Sequence, residues 1–255
     1  MLLRPALVAL QFLTCIPIRL NSPPAGRELG LSLLWYPVVG LLLGVLLWIA
    51  SVLVRPIDTS QAAALLVTLW VASTGALHVD GLADTADAWV GGRGDRERTL
   101  AIMKDPCSGP VAVAAVVCLL LLKFGAVSSL HEARAALSWS DLRLAYGYIL
   151  PPVLARAAVP LLFAQTPYIR SGGFGADLAL YQSRSAGRWL AALTGLAAMA
   201  LFGWHGLLAT VAAALVYLVM QRAFLRRLGG MTGDCAGALI EVIEAVTLIA
   251  LVLYQ

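Results

Sequence analysis

Long apolar stretches bound what this chain can fold into. They recur at 29–54, 60–79, 109–130, 144–166, 188–204, 206–221 and 235–254, each broken by a polar segment. About 20 apolar residues wound as a helix cross the ~30 Å hydrocarbon layer of a bilayer, and a helix satisfies its own backbone polar groups there. Composition agrees: 60% of residues are apolar and 13% charged, against ~25% charged in soluble domains. The expected fold is therefore all-α, a polytopic membrane helix bundle of about seven transmembrane helices. The fifth and sixth stretches are the least secure as separate spans, because Trp204-His205-Gly206 leaves room only for a tight turn. Residues 1–18 are apolar but interrupted by Arg4, Gln11 and Pro17, which suits an interfacial or re-entrant helix. They lack a small-residue cleavage site, so a removed signal peptide is not expected.

The cations fix an orientation. If the N-terminal segment and every second loop share a side, that side collects Arg4, Arg19, Arg27, Arg93, Arg96, Arg98, Lys104, Arg170, Arg184, Arg188, Arg222, Arg226 and Arg227. The other side keeps Arg55, Arg134 and Arg143. The positive-inside rule makes the first side, and the N-terminus, cytoplasmic. Residues 1–255 read as one integral membrane domain, with cytoplasmic loops at 80–108, 167–187 and 222–234. The net charge of +4 follows from this topology; with no basic stripe interleaved with aromatics, nucleic acid is not an expected partner. Cys15, Cys107, Cys118 and Cys235 form no C-x-x-C pair and read as packing residues.

The polar loops carry the chemistry. Leu77-His78-Val79-Asp80-Gly81-Leu82-Ala83-Asp84-Thr85-Ala86-Asp87 puts carboxylates at i, i+4 and i+7 where an apolar span ends. On a helix those positions share a face. Like charges so close call for a counter-cation, and a hard divalent ion such as Mg²⁺ suits an all-oxygen site. Asp80, Asp84 and Asp87 are thus candidate metal ligands, and His78 a candidate catalytic or orienting group beside them. A solvated, capped helix end is the plainer reading of such acids, and three on one face fit it poorly.

A second constellation is Gly229-Gly230-Met231-Thr232-Gly233-Asp234-Cys235-Ala236-Gly237-Ala238. Glycines at a helix entry let backbone N–H groups approach a phosphate, so Gly230, Thr232 and Gly233 are candidate phosphate contacts. Asp234 is either an N-cap or a fourth metal ligand. Arg226 and Arg227 either clamp a pyrophosphate or mark the end of a span. Glu241 and Glu244 lie inside the last apolar stretch and Arg156 inside the fourth. Charges at that depth are functional candidates by default. The two glutamates either complete the metal site, accept a substrate proton, or pair with Arg156, which otherwise takes a phosphate. Arg93 and Lys104 bracket a short amphipathic helix and are the phosphate candidates of that loop.

Acidic metal ligands, glycine-rich cradles and arginines, without a Ser-His-Asp set, P-loop or dinucleotide fingerprint, suit attack of a hydroxyl on an activated phosphoryl group. The motifs carry a resemblance. His78 through Asp87, Gly91 to Arg93, Ile102 to Asp105, Gly229 to Ala238 with Glu241 and Glu244 after it, Phe12-Leu13-Thr14 with Ile16-Pro17, and Tyr36-Pro37-Val38-Val39-Gly40 run in order along nearly the whole chain. With these the chain resembles the cobalamin synthase family, the adenosylcobinamide-GDP ribazoletransferases. The resemblance implies that a ribose hydroxyl of α-ribazole, or of its 5′-phosphate, attacks the cobinamide-side phosphorus of adenosylcobinamide-GDP, that GMP leaves, and that Mg²⁺ is required. It implies an enzyme of the cytoplasmic (inner) membrane, and leaves room for a homo-oligomer or for other corrinoid-pathway enzymes as partners. The chain departs from the family pattern at Ala88, in place of Gly, and at Pro106-Cys107, in place of Ser-Arg. Two rival readings are a CDP-alcohol phosphotransferase-like lipid enzyme, against which Asp84 stands where Arg is wanted, and a small ion-coupled transporter using Asp84, Glu241 and Glu244.

Overall fold

The computed structural model describes residues 3–135 and 145–254. Arg143, position 144 of the expected fourth span and the first two residues of the N-terminal segment lie outside the described residues, as does the side chain of Arg134. The described residues form eleven α-helices: α1 Leu3–Leu13, α2 Gly26–Ser32, α3 Tyr36–Leu53, α4 Thr59–Ser73, α5 Leu77–Gly91, α6 Arg96–Ile102, α7 Pro110–Ala135, α8 Ala145–Gln165, α9 Phe174–Tyr181, α10 Arg184–Leu228 and α11 Gly233–Val252. The fold is an all-α bundle. Its one extended feature among those residues is an isolated bridge between Tyr168 and Met231.

Five helices are long and apolar enough to cross a membrane: Gly26–Leu53 (α2 running through a 3₁₀ turn into α3), Pro110–Ala133 within α7, and α8, α10 and α11; the α4–α5 pair adds a sixth if counted as one bent span. The 45 residues of α10 are not one rod. Gly203 has φ 54° and ψ −125°, outside helical space. A Cβ on Gly206 would stand 2.0 Å from the carbonyl oxygen of Ala198. Residues eight apart along a straight helix are about 12 Å apart, so the chain doubles back at Gly203. The expected fifth and sixth spans are the two arms of this hairpin. Exposed Leu193, Leu196, Leu201, Leu215 and Val219 cover its outer faces.

The expected second span, 60–79, does not run through. The α4 helix stops at Ser73, and Gly75 and Ala76 take positive φ values of 60° and 58°. The axis then bends by 87° into α5. This break frees the acidic segment from the apolar span and makes it a separate helix, which is not one of the five spanning helices. At the centre of the bundle α8 is buried along most of its length despite Pro151, Pro152 and Pro160. Neighbouring helices in a bundle satisfy the backbone groups that such prolines release.

Candidate active site

The site forms where α5 meets the start of α11. Gly81 makes the approach possible: a Cβ there would stand 2.8 Å from the Asp234 carbonyl oxygen and 3.2 Å from the Asp234 Cα. Asp80 and Asp84 therefore share a neighbourhood with Asp234 although the sequence separates them by more than 140 positions. Thr232, not Asp234, caps α11, its hydroxyl accepting from the Cys235 amide at 3.3 Å. Asp234 sits in the first turn, where the helix end favours an anion.

Backbone pairing fixes a cation beside it. The Ile169 amide donates to the Met231 carbonyl (3.0 Å), and the Met231 amide to the Pro167 carbonyl (2.8 Å). Arg170 is thereby held with Nη1 3.3 Å from Asp234 Oδ2. Burial, then Asp80, Asp234 and Asp87, push the Asp84 carboxyl up to about 6, with Arg170 opposing.

The expected site residues divide. His78 is 3% exposed, and neither ring nitrogen has a partner among the described residues. It lines a cavity of ≈ 200 Å³ together with Asp80, Asp234, Tyr36, Tyr168 and Gly233. A second, smaller pocket of ≈ 70 Å³ is lined by Lys104, Arg170, Ser171, Thr232 and Asp234. Asp234 belongs to both.

Other expected roles change. Asp87 has backbone partners: its oxygens accept from the amides of Gly109 and, at 2.8 Å, Ala112, so it closes the N-terminus of α7. Among the described residues no three His, Cys, Asp or Glu side chains converge as a ready-made metal cage. Arg227 is a brace rather than a free clamp: Nε donates to Thr99 Oγ1 and Nη2 to the Trp89 carbonyl, both at 2.9 Å. With Arg96 Nε donating to the Leu228 carbonyl at 2.7 Å, it ties the 89–99 segment to the end of α10. Arg93 and Arg226 are exposed and line neither cavity. Gly230 packs against the Pro167 carbonyl, from which a Cβ would be 2.4 Å away, so its smallness serves the loop contact.

Glu241, Glu244 and Arg156 form a buried ionic cluster with a partner that the sequence reading passed over, Lys123 of α7. Lys123 Nζ lies 2.7 Å from Glu241 Oε2 and 2.6 Å from Glu244 Oε2, and Arg156 Nη1 bonds Glu244 Oε1. The four side chains are nearly inaccessible. Two cations offset two anions, and the cluster pins α7, α8 and α11 together beneath the site. None of the four lines either cavity. A lone lysine within the 109–130 stretch was the available signal. Arg170 was visible only as one of many loop cations, and Tyr36 only as part of a motif.

Comparison with known proteins points one way. The family model for cobalamin-5-phosphate synthase matches residues 5–252. Adenosylcobinamide-GDP ribazoletransferase of Ectopseudomonas mendocina (strain ymp) is 50% identical over 247 residues, covering 96% of this chain and 97% of the relative. The protein of the same name from Stutzerimonas stutzeri (strain A1501) is 51% identical over 251 residues, 98% of each. That from Pseudomonas fluorescens is 47% identical over 250 residues, 98% of this chain and 99% of the relative. No solved structure matches.

Proposed function

The chain belongs to the cobalamin-5-phosphate synthase family, and we propose that it transfers the adenosylcobinamide-phosphate group of adenosylcobinamide-GDP to α-ribazole or its 5′-phosphate. The bond from the nucleoside's ribose oxygen to the cobinamide-side phosphorus forms, and the pyrophosphate bond to GMP breaks. The observation that carries this reading is the convergence on Asp234. On one side of it stand Lys104 and Arg170 in a pocket for phosphate oxygens, and on the other a mostly apolar cavity with Asp80 and His78 at hand. A phosphoryl donor and a nucleoside acceptor meeting at that carboxylate have their reacting atoms aligned.

Asp80, Asp84 and Asp234 have the chemistry to hold Mg²⁺. They are hard oxygen donors that raise one another's affinity for a cation, with Arg170 the counter-charge set against them. The lack of a closed cage is compatible, because Mg²⁺ is commonly held by one or two carboxylates plus substrate phosphates and water. When bound, the ion would offset the pyrophosphate charge and stabilise the departing phosphate. Lys104 and Arg170 orient the donor's phosphates. His78, which burial and then the nearby Arg156 keep neutral by pushing its imidazole well below the usual range, has a ring nitrogen free to accept a hydrogen bond from the attacking hydroxyl and orient it. Glu241, Glu244 and Arg156 act through structure, holding the helices on which the site is built. With those glutamates occupied by cations, an ion path through them has no support. The charge asymmetry of the loops supports an inner-membrane enzyme whose site opens to the cytoplasm.

The test is direct. Purified protein in detergent or nanodiscs, given adenosylcobinamide-GDP, α-ribazole and Mg²⁺, is expected to release GMP in step with loss of the nucleoside. No GMP from protein shown to be folded by a cooperative thermal transition overturns the assignment.

A further inference from the structure

The larger cavity holds an unexplained feature. Tyr36, at the start of α3, is 1% exposed, and its hydroxyl has no hydrogen-bond partner among the described residues. A buried hydroxyl left unpaired is costly, and native proteins keep few of them. Tyr36 lines the same cavity as His78, whose ring nitrogens are also unpartnered. The rest of the wall is apolar and aromatic, including Phe12, Val159, Phe163 and Ile240. Asp80 and Asp234 also line it.

We infer that this cavity seats the benzimidazole base of the ribazole nucleoside, with the Tyr36 hydroxyl donating a hydrogen bond to the ring nitrogen that carries no sugar. The inference rests on the ribazole-transfer reading above. Three physical points select that occupant. A cavity of ≈ 200 Å³ admits a fused bicyclic ring and excludes a corrin macrocycle. Guanine, the other bicycle in the reaction, carries amide and amino groups around its edge, more polar positions than the buried Tyr36 and His78 can pair among Phe12, Val159 and Ile240. Dimethylbenzimidazole has one free ring nitrogen and two methyl groups, which suits a mostly apolar wall that offers the unpartnered Tyr36 hydroxyl. Seated there, the base sends its sugar toward Asp80 and Asp234, and Asp234 also lines the phosphate pocket.

A chemical double-mutant cycle tests this, because Tyr36→Phe removes one hydroxyl and leaves the ring in place. Steady-state GMP release is measured for wild type and variant with α-ribazole and with its indole analogue, in which C–H replaces the free ring nitrogen. Tyr36→Phe is expected to raise KM for α-ribazole about 5- to 10-fold, the worth of one neutral hydrogen bond. Its KM for the indole analogue and for adenosylcobinamide-GDP should stay unchanged. A second variant, Val159→Phe, fills the cavity without touching the acids. It is expected to raise KM for both nucleosides and leave that for adenosylcobinamide-GDP alone. Equal effects of Tyr36→Phe on both nucleosides, no effect on either, or a shift confined to adenosylcobinamide-GDP would each overturn the seating while wild-type GMP release keeps the function intact. Absence of GMP release by wild type would instead strike the functional reading.

Discussion

Lys123 Nζ lies 2.6 Å from Glu244 Oε2, joining α7 to α11 across 121 positions of sequence in the apolar interior. Glu241 and Arg156 complete a cluster of balanced charge. Removing one member of such a cluster leaves an uncompensated buried charge, which costs about 3–5 kcal/mol. Lys123→Met is expected to lower the thermal unfolding midpoint in detergent sharply and to reduce the yield of folded protein. A variant with wild-type stability would mean that the cluster does not hold the bundle together.

Asp84 is the carboxylate with neighbours of its own sign on three sides. Asp84→Asn is expected to lower GMP release by at least about 100-fold, the scale of losing a key electrostatic group, while the protein still inserts and unfolds like wild type. Near-normal turnover removes Asp84 from the machinery.

Chelation is expected to abolish turnover, and added Mg²⁺ to restore it. With its carboxyl pushed up to about 6, Asp84 carries a proton at low pH that competes with the cation. The Mg²⁺ concentration for half-maximal activity should therefore fall as pH rises through about 6 and level off above it. A midpoint flat from pH 5 to 8 contradicts that competition.

Asp87 separates from its neighbours in role. Because it accepts from the Gly109 and Ala112 amides, Asp87→Ala is expected to cost about 1–2 kcal/mol of stability, the value of a helix cap. Turnover per folded molecule should stay within a few-fold of wild type. Loss of turnover with unchanged stability would return Asp87 to the metal ligands.

Lys104 and Arg170 both line the smaller pocket. Lys104→Ala and Arg170→Ala are each expected to raise KM for adenosylcobinamide-GDP roughly 10-fold, the scale of one charge-assisted hydrogen bond. Arg226→Ala, an exposed cation outside the pocket, serves as the control and should change KM little.

Much of the site was legible because its parts are local. The offsets of Asp80 and Asp84 along one helix and the Thr232-Gly233-Asp234 turn are properties of short segments. The resemblance carried by those segments named the chemistry, and the family match agrees. Asp87 is equally instructive: i, i+7 spacing gives a shared face, but the Gly109 and Ala112 amides opposite it supply partners that the spacing could not show. Arg227 likewise has partners that the sequence did not show, Nε donating to Thr99 Oγ1 and Nη2 to the Trp89 carbonyl.

By itself the sequence determined that the chain is helical and membrane-bound, since apolar stretches of bilayer length leave a helix's own hydrogen bonds as the partners for its backbone. It also supplied the residue types from which the proposed phosphoryl-transfer site is built. Tertiary structure decided the pairings: Lys123 with the two glutamates, Arg170 with Asp234, Tyr36 with His78 around one cavity. The physical reason is that a side chain's role follows from the groups it meets, and these partners lie between 42 and 121 positions apart. No periodicity reaches across such distances; only the packing of α3, α5, α7 and α11, with the segment that follows α8, brings them to the same places.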